Sequence, residues 1–231
     1  MPPDLPTFVT SPAYLGQPPL SPRQERKLTE ALGKDPTKVF DGSRTITQAA
    51  LMLGKGAGKD LMCSYVMCSY VLAWLSCIIL CLTDPLAYFE FPSGESLDML
   101  NVACSAEQAN KVFFTKLKQR ISRPWFQRFN PKISDGSIEF PDKTQPIPNR
   151  PGEYTPLLRL FSGHSKTATQ EGKNLIAWVM DEAAAFRDAS ENSNAEDIHK
   201  MLVSSARSRF ANRFFGLIIS YPPVRGLLRD L

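Results

Sequence analysis

The sequence predicts an α/β fold, a doubly wound, mostly parallel sheet flanked by helices. Strand-like apolar segments alternate with helix-like segments along the chain, and parallel sheets are built from elements in this order. The chain is also long enough for one sizeable core, since it has 231 residues, of which 43% are hydrophobic and 22% charged. The net charge of +4 is mild and by itself indicates an ordinary protein surface.

Residues 1–22 are rich in proline and are predicted to form an N-terminal arm. Proline fixes φ and lacks a backbone N–H, so we expect no helix here, but an extended segment that lies on the domain or reaches a partner. Residues 23–231 are predicted to form the main domain. Its first element is a short polar helix over residues 23–34 that ends near Gly33.

Apolar runs and helical periodicity predict the remaining elements. The predicted strands cover residues 45–53, 97–104, 157–163, 175–180 and 214–220. The predicted helices cover residues 61–82, 106–121 and 194–208. The stretch 122–156 is rich in proline and glycine, and we expect loops and short strands there.

The predicted helix at 61–82 contains no charged residue and four of the five cysteines. It is long enough to cross a bilayer, since about 20 apolar residues suffice. One alternative is therefore a non-enzymatic membrane or interaction protein built on this helix. Its position directly after a glycine-rich loop favours instead a helix buried between the sheet and its neighbours. The cysteines form no C-x-x-C pair and both histidines lie far away in sequence, which indicates free thiols rather than a zinc site.

The loop after the first strand has the composition of a phosphate-binding loop. Gly56, Ala57 and Gly58 allow backbone N–H groups to approach a polyanion closely, and Lys59 can reach the β- and γ-phosphates. The next residue holds Mg²⁺ in such loops, and here it is Asp60, whose carboxylate can coordinate the ion directly or through water. We therefore predict an ATP-binding loop.

Two positions depart from the usual loop pattern. Leu53 stands where the first glycine is expected. Asp60 replaces the usual serine or threonine and adds negative charge beside the phosphates, which Lys55 can offset as a second phosphate contact. For this loop alone, a glycine-rich turn with chance lysines stays open as the alternative.

Two carboxylates follow the predicted strand at 175–180. Asp181 suits a Mg²⁺ ligand, and Glu182 suits the base that orients and deprotonates an attacking water. Open parallel sheets bind ligands at the carboxyl ends of their strands, although the pair alone could equally be the first turn of a surface helix. Together with the upstream loop, the pair indicates a hydrolytic P-loop ATPase.

Four motifs follow one another along the chain. They are LSPRQ at 20–24, LGKGAGKD at 53–60, WVMDEAAAF at 178–186 and IISYP at 218–222. In this order they resemble the ATPase motor domain of the large terminase subunit of tailed bacteriophages. The resemblance implies a P-loop NTPase of the additional-strand, catalytic-glutamate type. It also implies that Gln24 contacts the adenine base and that Ser220 couples the state of hydrolysis to movement.

The resemblance also implies a motor that hydrolyses Mg·ATP to translocate double-stranded DNA into a viral capsid. The implied partners are the DNA, a portal protein, a small terminase subunit and further copies of the chain in a ring. Whether the isolated domain is a monomer stays open. The implied location is the cytoplasm of an infected host cell, without membrane association. Family members usually continue into a C-terminal nuclease domain, and we expect no nuclease activity from this chain.

Basic residues cluster on and after the predicted helix at 106–121. The cluster comprises Lys111, Lys116, Lys118, Arg120, Arg123 and Arg128, with Trp125 and Phe126 nearby. A surface that contacts DNA phosphates without base recognition is one interpretation. A solvated helix face is the other, and it explains the pattern equally well.

Three arginines precede the last predicted strand. Arg207 and Arg209, ahead of Arg213, are candidates for an arginine finger that reaches the γ-phosphate of a neighbouring subunit. Ion pairs within their own chain are the alternative.

A P-loop small-molecule kinase is a second enzymatic interpretation. The adjacent carboxylates at Asp181 and Glu182 speak against it, because a kinase excludes water from its phosphoryl acceptor site rather than activating it.

Overall fold

The computed structural model describes residues 1–52, 64–105, 109, 113–164, 173–186 and 194–220. Within these residues the chain forms a seven-stranded sheet packed against helices. The strands are β1 Gln48–Met52, β2 Leu97–Ala103, β3 Lys132–Ile133, β4 Ser137–Pro146, β5 Tyr154–His164, β6 Leu175–Asp181 and β7 Phe215–Ser220. The helices are α1 Leu5–Thr10, α2 Pro22–Leu32, α3 Ser64–Leu80, α4 Pro85–Tyr88, α5 Thr115–Ile121, α6 Pro124–Gln127 and α7 Ala195–Phe210.

The strands lie in the order β1-β7-β6-β2-β5-β4-β3. The first five strands in this order are parallel to one another. At the edge of the sheet, β4 pairs in the antiparallel direction with both β5 and β3. The strand β7 lies between β1 and β6. It therefore separates the strand that leads into the predicted phosphate loop from the strand that ends in the two carboxylates. The predicted fold class, including its additional strand, is confirmed.

The long apolar helix α3 is the centre of the larger core. It packs on β6 and β7 and is covered on its other sides by α1 and α5. Trp74 and Cys77 on this helix are fully buried, and Cys77 is a free thiol. A helix enclosed in this way can be apolar all round, which explains its charge-free sequence. In the part of the chain that the structure describes, no helix is long and apolar enough to span a bilayer.

A second apolar cluster joins the sheet to α7 and includes Trp178. The indole of Trp178 lies directly over Gly216 on the neighbouring strand. A Cβ atom at residue 216 would be 2.1 Å from Cζ2 of Trp178, well inside van der Waals contact. This position therefore requires glycine for lack of space, not for backbone conformation.

The expectation of no helix in residues 1–22 is wrong, because α1 forms there. Asp4 caps the helix, and its carboxylate accepts a hydrogen bond from the backbone N–H of Thr7 at 2.8 Å. Pro6 occupies the first turn, where the missing N–H would have no intrahelical partner in any case. The position of the prolines matters more than their number.

The N-terminal segment lies on the domain instead of extending away from it. Leu5, Phe8 and Val9 are buried. The indole Nε1 of Trp74 donates a hydrogen bond to the backbone carbonyl of Pro3 at 2.9 Å, so the segment is tied to the middle of α3. These contacts make residues 1–22 part of the same packed unit as the sheet.

One further expectation is confirmed by the structure, and two are modified. The helix α2 ends before Gly33, as predicted, with φ of 80° at that glycine. The strand β1 is not fully buried, because no strand pairs with its outer edge among the described residues, and Met52 is 51% exposed. The stretch 122–156 contains the ten-residue strand β4 in place of short strands only.

Candidate active site

The candidate site lies where the parallel strands end. Met52, the last residue of β1, is in register with Ser220, the last residue of β7. Asp181, the last residue of β6, is in register with the neighbouring Ile219. The three strands therefore terminate at one level, and the chain enters the predicted phosphate loop directly after Met52.

The predicted phosphate loop itself lies outside the described residues. This applies to Lys55, Gly56, Ala57, Gly58, Lys59 and Asp60. Their roles in binding ATP and Mg²⁺ stay predictions. The described ends on either side of the loop are Met52 on β1 and Ser64 at the start of α3.

Asp181 is fully buried at the carboxyl end of β6. Burial and the nearby charge of Asp181 raise the pKa of the Cys68 thiol. Burial, Glu182 and Asp181 together raise the pKa of Cys104. Asp181 therefore lies near Cys68 in the first part of α3, and both carboxylates lie near Cys104, the residue that follows β2. Neither cysteine belongs to a recognisable motif, so the sequence gives no sign of their position beside the carboxylates.

Glu182 follows the strand in a left-handed backbone conformation, with φ of 55° and ψ of 43°. This conformation costs a residue other than glycine roughly 1–2 kcal/mol and is common at functional sites. The chain turns here and continues as a single 3-10 turn over Ala183–Ala185. Glu182 is half-buried, in contrast to the fully buried Asp181, so water can reach its side chain.

Ser220 is buried at the end of β7, and its hydroxyl accepts a hydrogen bond from the backbone N–H of Ala184 at 3.0 Å. This hydrogen bond joins the end of β7 to the turn that follows Glu182 at the end of β6. The predicted coupling residue therefore contacts the segment that positions the predicted base, although its coupling role stays a prediction.

Gln24 lines a cleft of about 540 Å³ between α2 and β1, together with Met52 and Met67. The Oε1 atom of Gln24 accepts a hydrogen bond from the N–H of Ser21 at 2.9 Å, and the Ser21 hydroxyl accepts one from the Gln24 N–H at 3.4 Å. This capping box starts α2 and holds the Gln24 side chain beside the strand that leads to the phosphate loop.

The candidate arginine fingers lie elsewhere. Arg209 donates a hydrogen bond to the Oδ1 atom of Asn174 at 2.6 Å, and Asn174 directly precedes β6, at the opposite end of the sheet. Arg207 is exposed on α7. Arg213 donates to the carbonyl oxygens of Phe40 and Tyr88. The structure does not bring these arginines to the site of their own chain, and a contact in trans stays untested.

The predicted basic cluster does not form one continuous patch. Arg128 is exposed and stacks on the Trp125 ring at 4.3 Å. Arg120 is buried instead, with its guanidinium 4.4 Å from the centre of the Tyr70 ring. Lys111 lies outside the described residues. The remaining members, Lys116, Lys118 and Arg123, are half-buried on or after α5.

The family model described as "Uncharacterized protein MJ0330, N-terminal P-loop domain" matches residues 1–229 of this chain. The uncharacterized protein MJ0330 of Methanocaldococcus jannaschii is 29% identical over 165 residues. The match covers 71% of this chain and 26% of that protein. The chain thus spans about a quarter of the length of this curated relative.

Among solved structures, the chain is similar to the large terminase of bacteriophage HK97, with a TM-score of 0.54 and 17% identity. The similarity covers 94% of this chain and 37% of that one. The ATPase domain of the Thermus phage P74-26 large terminase gives a TM-score of 0.45 at 18% identity, covering 87% of this chain and 70% of that one. The resemblance to the terminase motor domain, stated above from four motifs, is confirmed at the level of the fold.

Proposed function

This chain belongs to the MJ0330 N-terminal P-loop domain family, and from that premise we propose that it binds and hydrolyses Mg·ATP. The family and the order of the strands support a P-loop ATPase. The observation that carries hydrolysis is the position of two carboxylates, Asp181 and Glu182, at the end of β6. A single strand, β7, lies between β6 and β1, the strand that leads into the predicted phosphate loop.

Asp181 is proposed to hold Mg²⁺. Carboxylate oxygens are the ligands that this ion prefers, and the negative charge of a fully buried carboxylate is stabilised by a cation beside it. Asp60, from the phosphate loop, is the second proposed ligand. Held by Asp181 and Asp60, Mg²⁺ would supply positive charge beside the phosphates and so favour hydrolysis.

Glu182 is proposed to orient the attacking water and to accept its proton. Its half-buried position gives it access to water. The hydrogen bond between Ala184 and Ser220 fixes the turn at residues 182–185. The backbone of residues 56–58 and the ammonium of Lys59 are proposed to bind the phosphates, with Lys55 as a further contact. Gln24 is proposed to contact the adenine base in the cleft beside β1.

We further propose that hydrolysis drives the movement of double-stranded DNA. The four terminase-like motifs and the terminase fold support this step. The partners proposed for such a motor are further copies of the chain in a ring, a portal protein and a small terminase subunit. The proposed location is the cytoplasm of an infected host cell. The arginine finger would then come from a neighbouring copy.

Mg²⁺-dependent ATP binding, measured by calorimetry, tests the first proposal. We expect binding by the wild type and its loss in Lys59→Ala, with Lys132→Ala on the exposed strand β3 as the matched control. A folded wild type that does not bind ATP would overturn the proposal. Turnover measured with and without duplex DNA tests the second proposal. Stimulation by DNA supports a motor, whereas dependence on a small phosphoryl acceptor would support a kinase.

A further inference from the structure

A second pocket, of about 500 Å³, lies between the N-terminal segment and α5. Gln17 lines it from the N-terminal side, and Lys118, Gln119, Arg120 and Arg123 line it from α5 and the residues after it. None of these residues belongs to the proposed nucleotide site. The wall formed by the N-terminal segment is fixed, since backbone hydrogen bonds tie residues 16 and 17 back to α1 and the residue that follows it.

Arg120 is the buried cation of this pocket, with an exposed fraction of 8%. Its guanidinium stacks on the ring of Tyr70, which covers one of its faces. Its Nε–H is buried and has no hydrogen-bond acceptor among the described residues. A buried donor without an acceptor costs about 1–3 kcal/mol, and more when the group is charged. Arg120 therefore lines the pocket as a mostly buried cation, and its hydrogen-bonding capacity is not fully used by the described residues.

Two further cations, Lys118 and Arg123, line the same pocket as Arg120. Arg123 lies against the backbone of Gly16, since its Nη2 atom is 3.9 Å from the place where a Cβ of residue 16 would be. Lys118 is paired at 3.6 Å with Asp135, whose side chain is fully exposed. Such an exposed pair is weak and exchanges readily. Burial lowers the pKa of Arg120, Tyr70 opposes this shift in part, and the charge of Arg123 lowers the pKa further.

We propose that this pocket binds a phosphate-class oxyanion. The planar guanidinium groups of Arg120 and Arg123 match the geometry of phosphate oxygens. Lys118 adds a third positive charge, and Gln119 is a neutral donor at the same pocket. The phosphate is either a backbone phosphodiester of duplex DNA or a free anion. DNA as the source of the phosphate rests on the function proposed above. The affinity of the pocket for phosphate does not depend on that function.

Side-chain NMR tests the pocket directly. The Nε–H resonances of arginine are followed while inorganic phosphate is added, with chloride at matched ionic strength as the reference. We expect saturable shifts for Arg120 and Arg123, and about tenfold weaker binding in Lys118→Gln and in Arg123→Gln, because each loses a charge-assisted contact. Arg128→Gln removes the same charge from an exposed arginine outside the pocket and should leave the affinity unchanged. Phosphate that shifts neither resonance would overturn the proposal.

Fluorescence anisotropy with a labelled DNA duplex separates the two sources of phosphate. If the duplex supplies the phosphate, Arg123→Gln weakens duplex binding and reduces the slope of log K against log salt by about one. The control Arg128→Gln should leave both the affinity and the slope unchanged. If duplex binding is unaffected while phosphate still shifts Arg120, the pocket binds a free anion. A wild type that binds phosphate but no duplex would refute the DNA-motor proposal and leave the pocket intact.

Discussion

The hydroxyl of Ser220 accepts a hydrogen bond from the backbone N–H of Ala184 at 3.0 Å. Through this contact the end of β7 holds the 3-10 turn that follows Glu182. The strand β7 is also paired with β1, which leads into the phosphate loop. The proposed base and the proposed phosphate loop are therefore connected through a single strand.

Replacing Ser220 by alanine removes this hydrogen bond. We expect kcat for ATP hydrolysis to fall by about tenfold while KM changes little, because a small displacement of a catalytic group slows the reaction more than it weakens substrate binding. Steady-state phosphate release measures both constants. Ser208→Ala, which removes an exposed hydroxyl on α7, is the control. A raised KM with unchanged kcat would show that Ser220 acts in binding instead.

Glu182→Gln keeps the size of the side chain but removes its ability to accept a proton. We expect turnover to fall by at least about 100-fold while the affinity for Mg·ATP is retained, since general-base catalysis contributes on the order of 10²–10⁴-fold. Binding calorimetry and phosphate release are measured on the same samples. Glu196→Gln makes the same change at an exposed position on α7 and should be silent. Turnover close to that of the wild type would remove Glu182 from the proposed role.

Gln24→Glu separates the two roles of this side chain. A carboxylate still accepts the hydrogen bond from the Ser21 N–H, so the thermal stability of the protein should be unchanged. The amide donor is lost, and we expect ATP to bind about tenfold more weakly if this donor contacts the base. Ser21→Ala is the complementary variant, which weakens the helix cap by about 1 kcal/mol and leaves the amide in place. Equal ATP affinity in Gln24→Glu and the wild type would exclude the base contact.

Gly216→Ala places a methyl carbon only 2.1 Å from Cζ2 of the Trp178 indole. We expect the free energy of unfolding to fall by about 1–3 kcal/mol or more, the usual cost of overpacking a core. Adding Trp178→Phe should recover part of this loss, because the ring atoms that clash are absent from phenylalanine. Urea unfolding of the single and double variants measures the coupling. Gly136→Ala is the control, since nothing lies within 4 Å of a Cβ at that position.

His199 makes the stability of the fold depend on pH. Burial lowers its pKa below the ordinary value of 6.5, and Glu196 opposes this shift only in part. The folded protein therefore binds fewer protons than the unfolded chain around pH 6, so stability is lost as the pH falls through about 6.5. We expect Tm to decrease less between pH 7.5 and pH 5.5 in His199→Gln than in the wild type. Parallel decreases would show that other groups cause the acid sensitivity.

The elements that were predicted well are those whose secondary structure and burial are determined by the local sequence. The strand β6 and the helix α3 are continuous apolar runs, and such runs are buried in any compact fold. The helix α1 could have been predicted from Asp4 and Pro6 as a capped first turn, but the number of prolines concealed their positions.

Other features depended on contacts between distant residues. Arg209 lies on the same helix as other candidate residues, yet its partner is Asn174, and only the packing of α7 on β6 shows that the pair lies at the far end of the sheet. Arg120 had the same appearance in the sequence as exposed Arg128. The aromatic ring of Tyr70, 50 positions away in the chain, decides that it is buried.

The sequence by itself therefore determined the type of sheet, the order of the predicted phosphate loop and the acidic strand end along the chain, and the presence of two adjacent carboxylates, Asp181 and Glu182, at that strand end. These follow from local apolar patterns and from the residue types that phosphate and metal chemistry require. The tertiary structure alone decided that Ser220 reaches Ala184 and that the basic residues of α5 converge on the N-terminal segment. Such side-chain contacts depend on long-range packing, which no local pattern encodes.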